Sequence, residues 1–179
     1  MDKKKYLQML IEDIENAKRY EEDSFISGSI PVGISNRHIH ISEEDLIDLF
    51  GVDYQLTPIK ELKQPGQFAC KETVTLIGPK GEINNVRILG PTRSQTQIEL
   101  LLADNYKLGI KAPLRESGDL HDSASLVVKG PLGTKKLECG AIVAKRHIHM
   151  LPYQAALYGV KDRSIVSLKV DTERGGVLS

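Results

Sequence analysis

The chain has 179 residues, is 40% hydrophobic, and sets 24 Lys plus Arg against 24 Asp plus Glu, for a formal net charge of zero. That length carries one large domain or two small ones sharing a core, and the neutral balance excludes the broad positive field that recruits nucleic acid or an anionic membrane; an anionic ligand has to be held by local charge. No run of about 18 apolar residues could span a bilayer, and the basic start Lys3-Lys4-Lys5 lacks the apolar segment and cleavage site of a secretory signal, so a cytoplasmic protein is expected.

From Lys4 to Tyr20 the apolar residues Leu7, Leu10, Ile11, Ile14 and Ala17 recur at helical spacing, with Glu12, Asp13, Glu15 and Lys18 opposite, so residues 1–27 read as an amphipathic helix and a polar linker. Two uses fit it: a helix packed on its own domain, or a docking peptide for a partner. After Gly28 the texture turns to short β-rich runs, IPVGIS, TVTLIG, NVRILG, SLVVKG, AIVAK and SIVSLKV, punctuated by Gly and Pro as in small barrels or sandwiches. Two helical patterns interrupt them: Ser42 to Phe50, opened by a Ser-x-x-Asp cap and closed at Gly51, and Pro152 to Tyr158 before Gly159. Cys70 and Cys139 lack metal-site spacing and disulfide density and read as reduced thiols, buried or half-buried.

Two echoes organise the chain. Arg37-His38-Ile39-His40 recurs as Arg146-His147-Ile148-His149, each followed by a short helical stretch ending in Gly, and VTLIGPKG (Val74 to Gly81) is echoed by LVVKGPLG (Leu126 to Gly133). A diverged duplication follows. The expected fold is mainly β, with short helices and two small interleaved barrels: 37–144 forming one, and 28–36 with 145–179 forming the other, incomplete at its C-terminal end.

In a strand, residues i and i+2 share a face, so each His-Ile-His can present two imidazoles side by side while Ile39 and Ile148 turn to the core. Neutral imidazole suits zinc. One His-x-His is a weak signal, but two copies in a chain of five histidines are a strong one. His121, in the polar run GDLHDS, reads as an exposed loop residue. The second cluster is Gly90-Pro91-Thr92-Arg93-Ser94-Gln95-Thr96-Gln97-Ile98-Glu99. Its hydroxyl, amide and guanidinium donors suit an oxyanion, and the planar fork of Arg93 matches phosphate. Glu99, an even number of residues on, shares a face with Arg93 if the stretch is extended, and offers a further zinc ligand.

These residues carry a resemblance. Ser35 to His40, Gln64-Pro65-Gly66-Gln67-Phe68, Gly90 to Gln97, Ile110-Lys111-Ala112-Pro113 with Arg115-Glu116-Ser117-Gly118, and Ala144 to Met150 are similar to the PduL-type phosphate propanoyltransferase (phosphotransacylase) family, from Ile30 nearly to the end. The resemblance implies two β-barrels, a di-zinc site between them, coenzyme A as substrate and product, and conversion of acyl-CoA plus phosphate to acyl phosphate. It makes His38, His40, Glu99, His147 and His149 metal ligands and Arg93 the phosphate binder. Ser35, Lys60, Gln67, Arg87 and Leu89 carry over to the coenzyme A cleft, where Lys60 and Arg87 suit the nucleotide phosphates. In relatives associated with bacterial microcompartments and propanediol degradation, an N-terminal extension resembles an encapsulation peptide for shell or cargo. Family members continue past a stretch like Asp171 to Ser179 into a segment with another metal-binding histidine, so the last barrel is expected to lack a strand and the zinc site a ligand.

The mechanism expected is direct attack of phosphate on the thioester, oriented by zinc and Arg93. Rival readings are a zinc hydrolase, an acyltransferase using Cys70 or Cys139 as nucleophile, and a zinc-stabilised structural module. Acetyl and propanoyl differ by one methylene, so acyl preference stays open, as does the oligomeric state, a homo-oligomer included.

Overall fold

A computed structural model describes Ile30 and residues 35–62, 64–170, 172–173 and 175–178. The expected N-terminal helix and all but the ends of the expected strand 30–35 lie outside the described residues. Contacts divide the chain into two units, one ending at Arg146 and one spanning His147–Ser179. Among the described residues no helix is long and apolar enough to cross a membrane.

The first unit is mainly β, as expected. Its elements are β1 (His38–His40), α1 (Glu43–Phe50), β2 (Pro58–Glu61), β3 (Phe68–Gly78), β4 (Gly81–Gly90), β5 (Gln97–Leu100), α2 (Asp104–Leu108), β6 (Leu114–Arg115), β7 (Ala124–Lys129) and β8 (Thr134–Ala144). Six strands close on themselves in the order β3, β4, β1, β5, β8, β7 and back to β3, while β2 adds to β3 and β6 to β8. Closure removes the sheet edges of these six strands. Alternation drives it: in β3, Cys70, Glu72, Val74 and Leu76 are buried and their neighbours are not. In β4 the period breaks between Ile83 and Val86, both buried, because the register slips opposite Val74 and Leu76 and Asn85 takes φ 58°. Asparagine tolerates that left-handed conformation.

The barrel is built twice over from strand, helix and hairpin. In the first copy β1 lies parallel to β4, with Ile39 beside Ile88; in the second β5 lies parallel to β8, with Ile98 beside Ala141. The VTLIGPKG and LVVKGPLG echoes pair with each other: Thr75 opposes Lys129, Leu76 opposes Val128, and Ile77 opposes Val127. Leu76 and its counterpart Val128 are thus direct partners, the arrangement a local two-fold produces. The glycines of the echo grip the opposite copy's helix. The N–H of Lys80 donates to the Leu108 carbonyl at the end of α2 (3.0 Å), and the N–H of Leu132 donates to the Leu49 carbonyl near the end of α1 (3.1 Å).

α1 forms where its caps put it. Ser42 Oγ accepts the Asp45 N–H (3.1 Å), three acidic residues occupy the first turn, and Gly51 closes the end at φ 108°. The sequence reading passed over α2, whose one strong signal is the left-handed Gly109, its N–H returning to the Asn105 carbonyl (2.8 Å).

In the second unit α3 (Pro152–Leu157) follows the second histidine pair, and β9 (Leu168–Val170) pairs antiparallel with β10 (Gly176–Leu178). Those two strands form a sheet of their own, so a second barrel is not seen among the described residues. Three expectations are corrected. His147–His149 is not in a strand, Ile148 is exposed rather than turned inward, and Cys139 is exposed while only Cys70 is buried. The first two share a reason: Ile39 has strands on both sides and a core beneath it, whereas Ile148 sits in irregular chain; Cys139 lies at an exposed position of β8.

A methyl group at Gly78 would collide with the Leu108 carbonyl oxygen, and one at Gly130 would lie 2.7 Å from that of Leu49, whereas at Gly133 it would meet nothing within 4 Å. Gly78→Ala and Gly130→Ala are each expected to cost about 1–3 kcal/mol by overpacking, and Gly133→Ala less than about 0.5 kcal/mol, read from denaturant unfolding midpoints.

Candidate metal centre and anion site

β1 is three residues long and paired on both sides. Antiparallel to β5, it sets His38 opposite Glu99 and His40 opposite Gln97; parallel to β4, it sets His38 beside Arg87. His38 and His40 stand ring to ring at 5.1 Å and 87°, and one donor atom each from His38, His40 and Glu99 lies within 4.8 Å of the others. His40 and Glu99 are buried and His38 nearly so.

Protonation suits metal binding. The Asn36 carbonyl can only accept, so the His38 ring donates to it through Nδ1 (2.8 Å) and turns Nε2 toward Glu99 Oε2, 3.5 Å away. Burial holds the His40 pKa down to about 3; Arg93 and His38 push the same way, and a hydrogen bond with the Leu89 backbone opposes them. His40 is therefore a neutral imidazole at pH 7. The neutral His40 imidazole, the His38 ring and the Glu99 carboxylate are a donor set that zinc accepts, with positions left for other ligands. The residues fit the ion.

Arg93 reaches this place by a route the sequence reading did not foresee. Bends at Ser94 and Gln95 separate it from β5, so it does not share an extended face with Glu99. Instead its N–H donates to the Ile41 carbonyl (2.9 Å) and it bridges to Ser42, extending the line of β1. Asp45 accepts the Thr96 hydroxyl, and Thr96 Oγ1 accepts the Ser42 N–H (2.8 Å), so the cap of α1 and the Arg93 segment are tied together. Burial lowers the Arg93 pKa and Glu99 raises it. Arg37, Arg87 and Arg115 are committed elsewhere: Arg37 to both oxygens of Asp104 (2.8 and 2.9 Å), Arg87 to the carbonyls of Cys70 and Lys71 (2.8 Å each), and Arg115 to the His121 carbonyl (3.2 Å). The half-buried Arg93 fork makes no hydrogen bond or ion pair among the described residues.

The other candidates are placed as follows. Ser35 is exposed just before β1. Lys60 on β2, Ala69 on β3 and Leu89 on β4 stand in register across three strands, with Gln67 half-buried in the turn that enters β3. In the second unit His147 and His149 stand ring to ring at 4.8 Å and 87°, the arrangement of the first pair without its strand. His121 is an exposed loop residue, as read from sequence. Burial pushes the Cys70 thiol up to about 11, which disqualifies it as a nucleophile at neutral pH. Sequence reasoning gave no role to Gln97, Ser117 and Gly118, which meet beside Glu99.

The fold and site define a small closed barrel carrying a metal-capable His-His-Glu set beside an open arginine fork. Residues 31–179 match the family model of phosphate propanoyltransferases. Among similar proteins, a phosphate propanoyltransferase of Thermotoga maritima is 56% identical over 143 residues, 80% of this chain and 68% of the relative. One of Rhodobacter capsulatus is 54% identical over 149 residues, 83% of this chain and 69% of the relative. One of Alkaliphilus metalliredigens is 46% identical over 176 residues, 98% of this chain and 82% of the relative. The chain belongs to the phosphate propanoyltransferase family, and it is an acyltransferase enzyme.

In excess chelator, His40 makes a test of the site's electrostatics. Its folded pKa is depressed below the unfolded value of about 6.5, so between the two the unfolded state binds more protons. The stability contributed by keeping the ring neutral is present above about pH 6.5 and lost as pH falls toward 3. His40→Gln is expected to lose less thermal midpoint than the wild type between pH 7.5 and 5; parallel losses contradict the assignment.

Proposed function

We propose that this chain interconverts acyl-CoA plus inorganic phosphate with acyl phosphate plus coenzyme A, propanoyl-CoA or acetyl-CoA being the acyl donor. The observation that carries the reading is the half-buried fork of Arg93, unpaired among the described residues, beside a neutral His40 and the His38, His40 and Glu99 donors. An arginine so placed is a site for a tetrahedral oxyanion, and the names of the relatives supply which one.

In this reading His38, His40 and Glu99 hold one zinc ion, and the His147–His149 pair is a separate donor set for a second. Bound zinc supplies Lewis-acid polarisation of the thioester carbonyl and a soft partner for the departing thiolate. Arg93 binds two phosphate oxygens through its fork and aims a third at the carbonyl carbon. A carbon–oxygen bond forms, the carbon–sulfur bond breaks, and its electron pair leaves with the coenzyme A sulfur. No acyl-enzyme is required, in keeping with the buried, high-pKa Cys70. Holding both reactants in line supplies up to roughly 7–11 kcal/mol of the barrier, enough to make positioning the main catalytic effect.

For coenzyme A we propose the face marked by Ser35, Lys60, Gln67, Arg87 and Leu89. Lys60 is exposed at the margin and suits the nucleotide phosphates. Arg87, with its guanidinium on the Cys70 and Lys71 carbonyls, shapes the floor of that face while adding its charge.

Arg93→Ala is expected to raise the KM for phosphate roughly 10- to 100-fold, as loss of a charge-assisted hydrogen-bonded pair implies, and to leave the KM for acyl-CoA within about threefold. Arg93→Lys, a point charge without the fork, falls between. An unchanged phosphate KM in Arg93→Ala removes this residue from the role.

A further inference from the structure

Gln97 is 2% exposed, lies on β5 opposite His40, and has no part in the reading of the site given so far. The orientation of its amide is fixed by a group that can only donate: the backbone N–H of Gly118 lies 2.7 Å from Oε1, so Oε1 is the carbonyl oxygen and Nε2 carries the two hydrogens. Those hydrogens have two acceptors, Glu99 Oε1 at 2.8 Å and Ser117 Oγ at 2.8 Å. One oxygen of Glu99 is thereby engaged. The other, Oε2, is the one that faces His38 Nε2 at 3.5 Å. Gly118 aims its N–H this way from φ 95°, a left-handed conformation that glycine adopts without strain.

We propose that Gln97, locked by the Ser117–Gly118 turn, is the positioning residue that presents Glu99 to a metal ion through Oε2 alone. The proposal rests on the metal reading above and deepens it: the 115–118 loop is tied to the metal ligand by a three-bond clamp on a single buried amide. Without that clamp the Glu99 carboxylate can rotate, and its Oε1 is a buried acceptor without a donor, which weakens the set that His38 and His40 complete. Outer partners of metal ligands typically change metal affinity by about 10- to 100-fold when removed.

The test uses the full chain, and zinc itself as the probe, with dissociation constants measured by competition against a chromophoric chelator and thermal midpoints measured in excess chelator. Gln97→Met keeps the volume of the side chain and removes the donation to Glu99. It is expected to weaken zinc binding about 10- to 100-fold, while Ser117→Ala, which leaves the Gln97–Glu99 bond in place, weakens it less than about threefold. Gln97→Asn keeps an amide in the core but is one methylene too short to reach Glu99; it is expected to show the same loss, and it decides the matter if Gln97→Met does not fold. Zinc binding by both Gln97 variants within about threefold of wild type overturns the proposal; a loss in Ser117→Ala approaching theirs shows that the Ser117 bond is needed for the lock and supports it. A wild-type chain that does not bind zinc overturns the metal reading itself, and this proposal with it, before any variant is compared.

Discussion

Everything at the site depends on the pairing of a three-residue strand with neighbours on both sides. β1 has Ile39 fully buried between two histidines, and its partners Ile88 and Ile98 are fully buried as well. Burying each isoleucine contributes about 1.5–3 kcal/mol, and a slip of one residue would turn the apolar side chain out and the imidazoles to the other face. The core thus fixes the histidines. Their register against β5 then sets which residue meets which: His38 across from Glu99, His40 across from Gln97.

The duplicated barrel supplies the site with its two halves. At the centre of the β1–β5 pair lie Ile39 and Ile98, and the flanking positions carry two histidines on one strand and a glutamine and a glutamate on the other. A two-fold scaffold has been filled asymmetrically, imidazoles from the first copy and a clamped carboxylate from the second. The cost is a cluster of buried polar groups, His40, Asp45, Thr96, Gln97 and Glu99, beside the apolar core. Among the described residues no buried side-chain nitrogen or oxygen lacks a hydrogen-bond partner, so the cluster is ordered by full satisfaction. Arg93 differs in kind. It is half-exposed, so water can serve its fork, and the proposed anion would replace that water.

Much of this was legible in the sequence, for reasons that can be named. β3, β4, β7 and β8 announce themselves by alternation and by the Gly-Pro turns between them, and α1 by Ser42 and Gly51. The first histidine pair was singled out because metal-ligating residue types are few and their spacing in a strand is fixed; Glu99 was singled out through a shared face with Arg93 that the bends at Ser94 and Gln95 break. The shorter elements β2, β6 and α2 were not found, since pieces of two to five residues have too few positions to show a period. Arg93 was picked for its chemistry but placed for the wrong reason: it comes beside His40 through a backbone bond to Ile41, a contact between segments about fifty residues apart that no local pattern encodes. Gln97 was named within its cluster but given no role of its own, for the same reason. A buried glutamine reads as an ordinary strand residue until the loop carrying Ser117 and Gly118 is folded over it.

The central claim is that phosphate is the acceptor of the acyl group. The measurement that tests it most directly is release of free coenzyme A thiol from propanoyl-CoA by this chain in zinc-containing buffer, with and without inorganic phosphate. The account predicts release that requires phosphate and saturates with it; release at the same rate without phosphate would make water the acceptor and contradict the account.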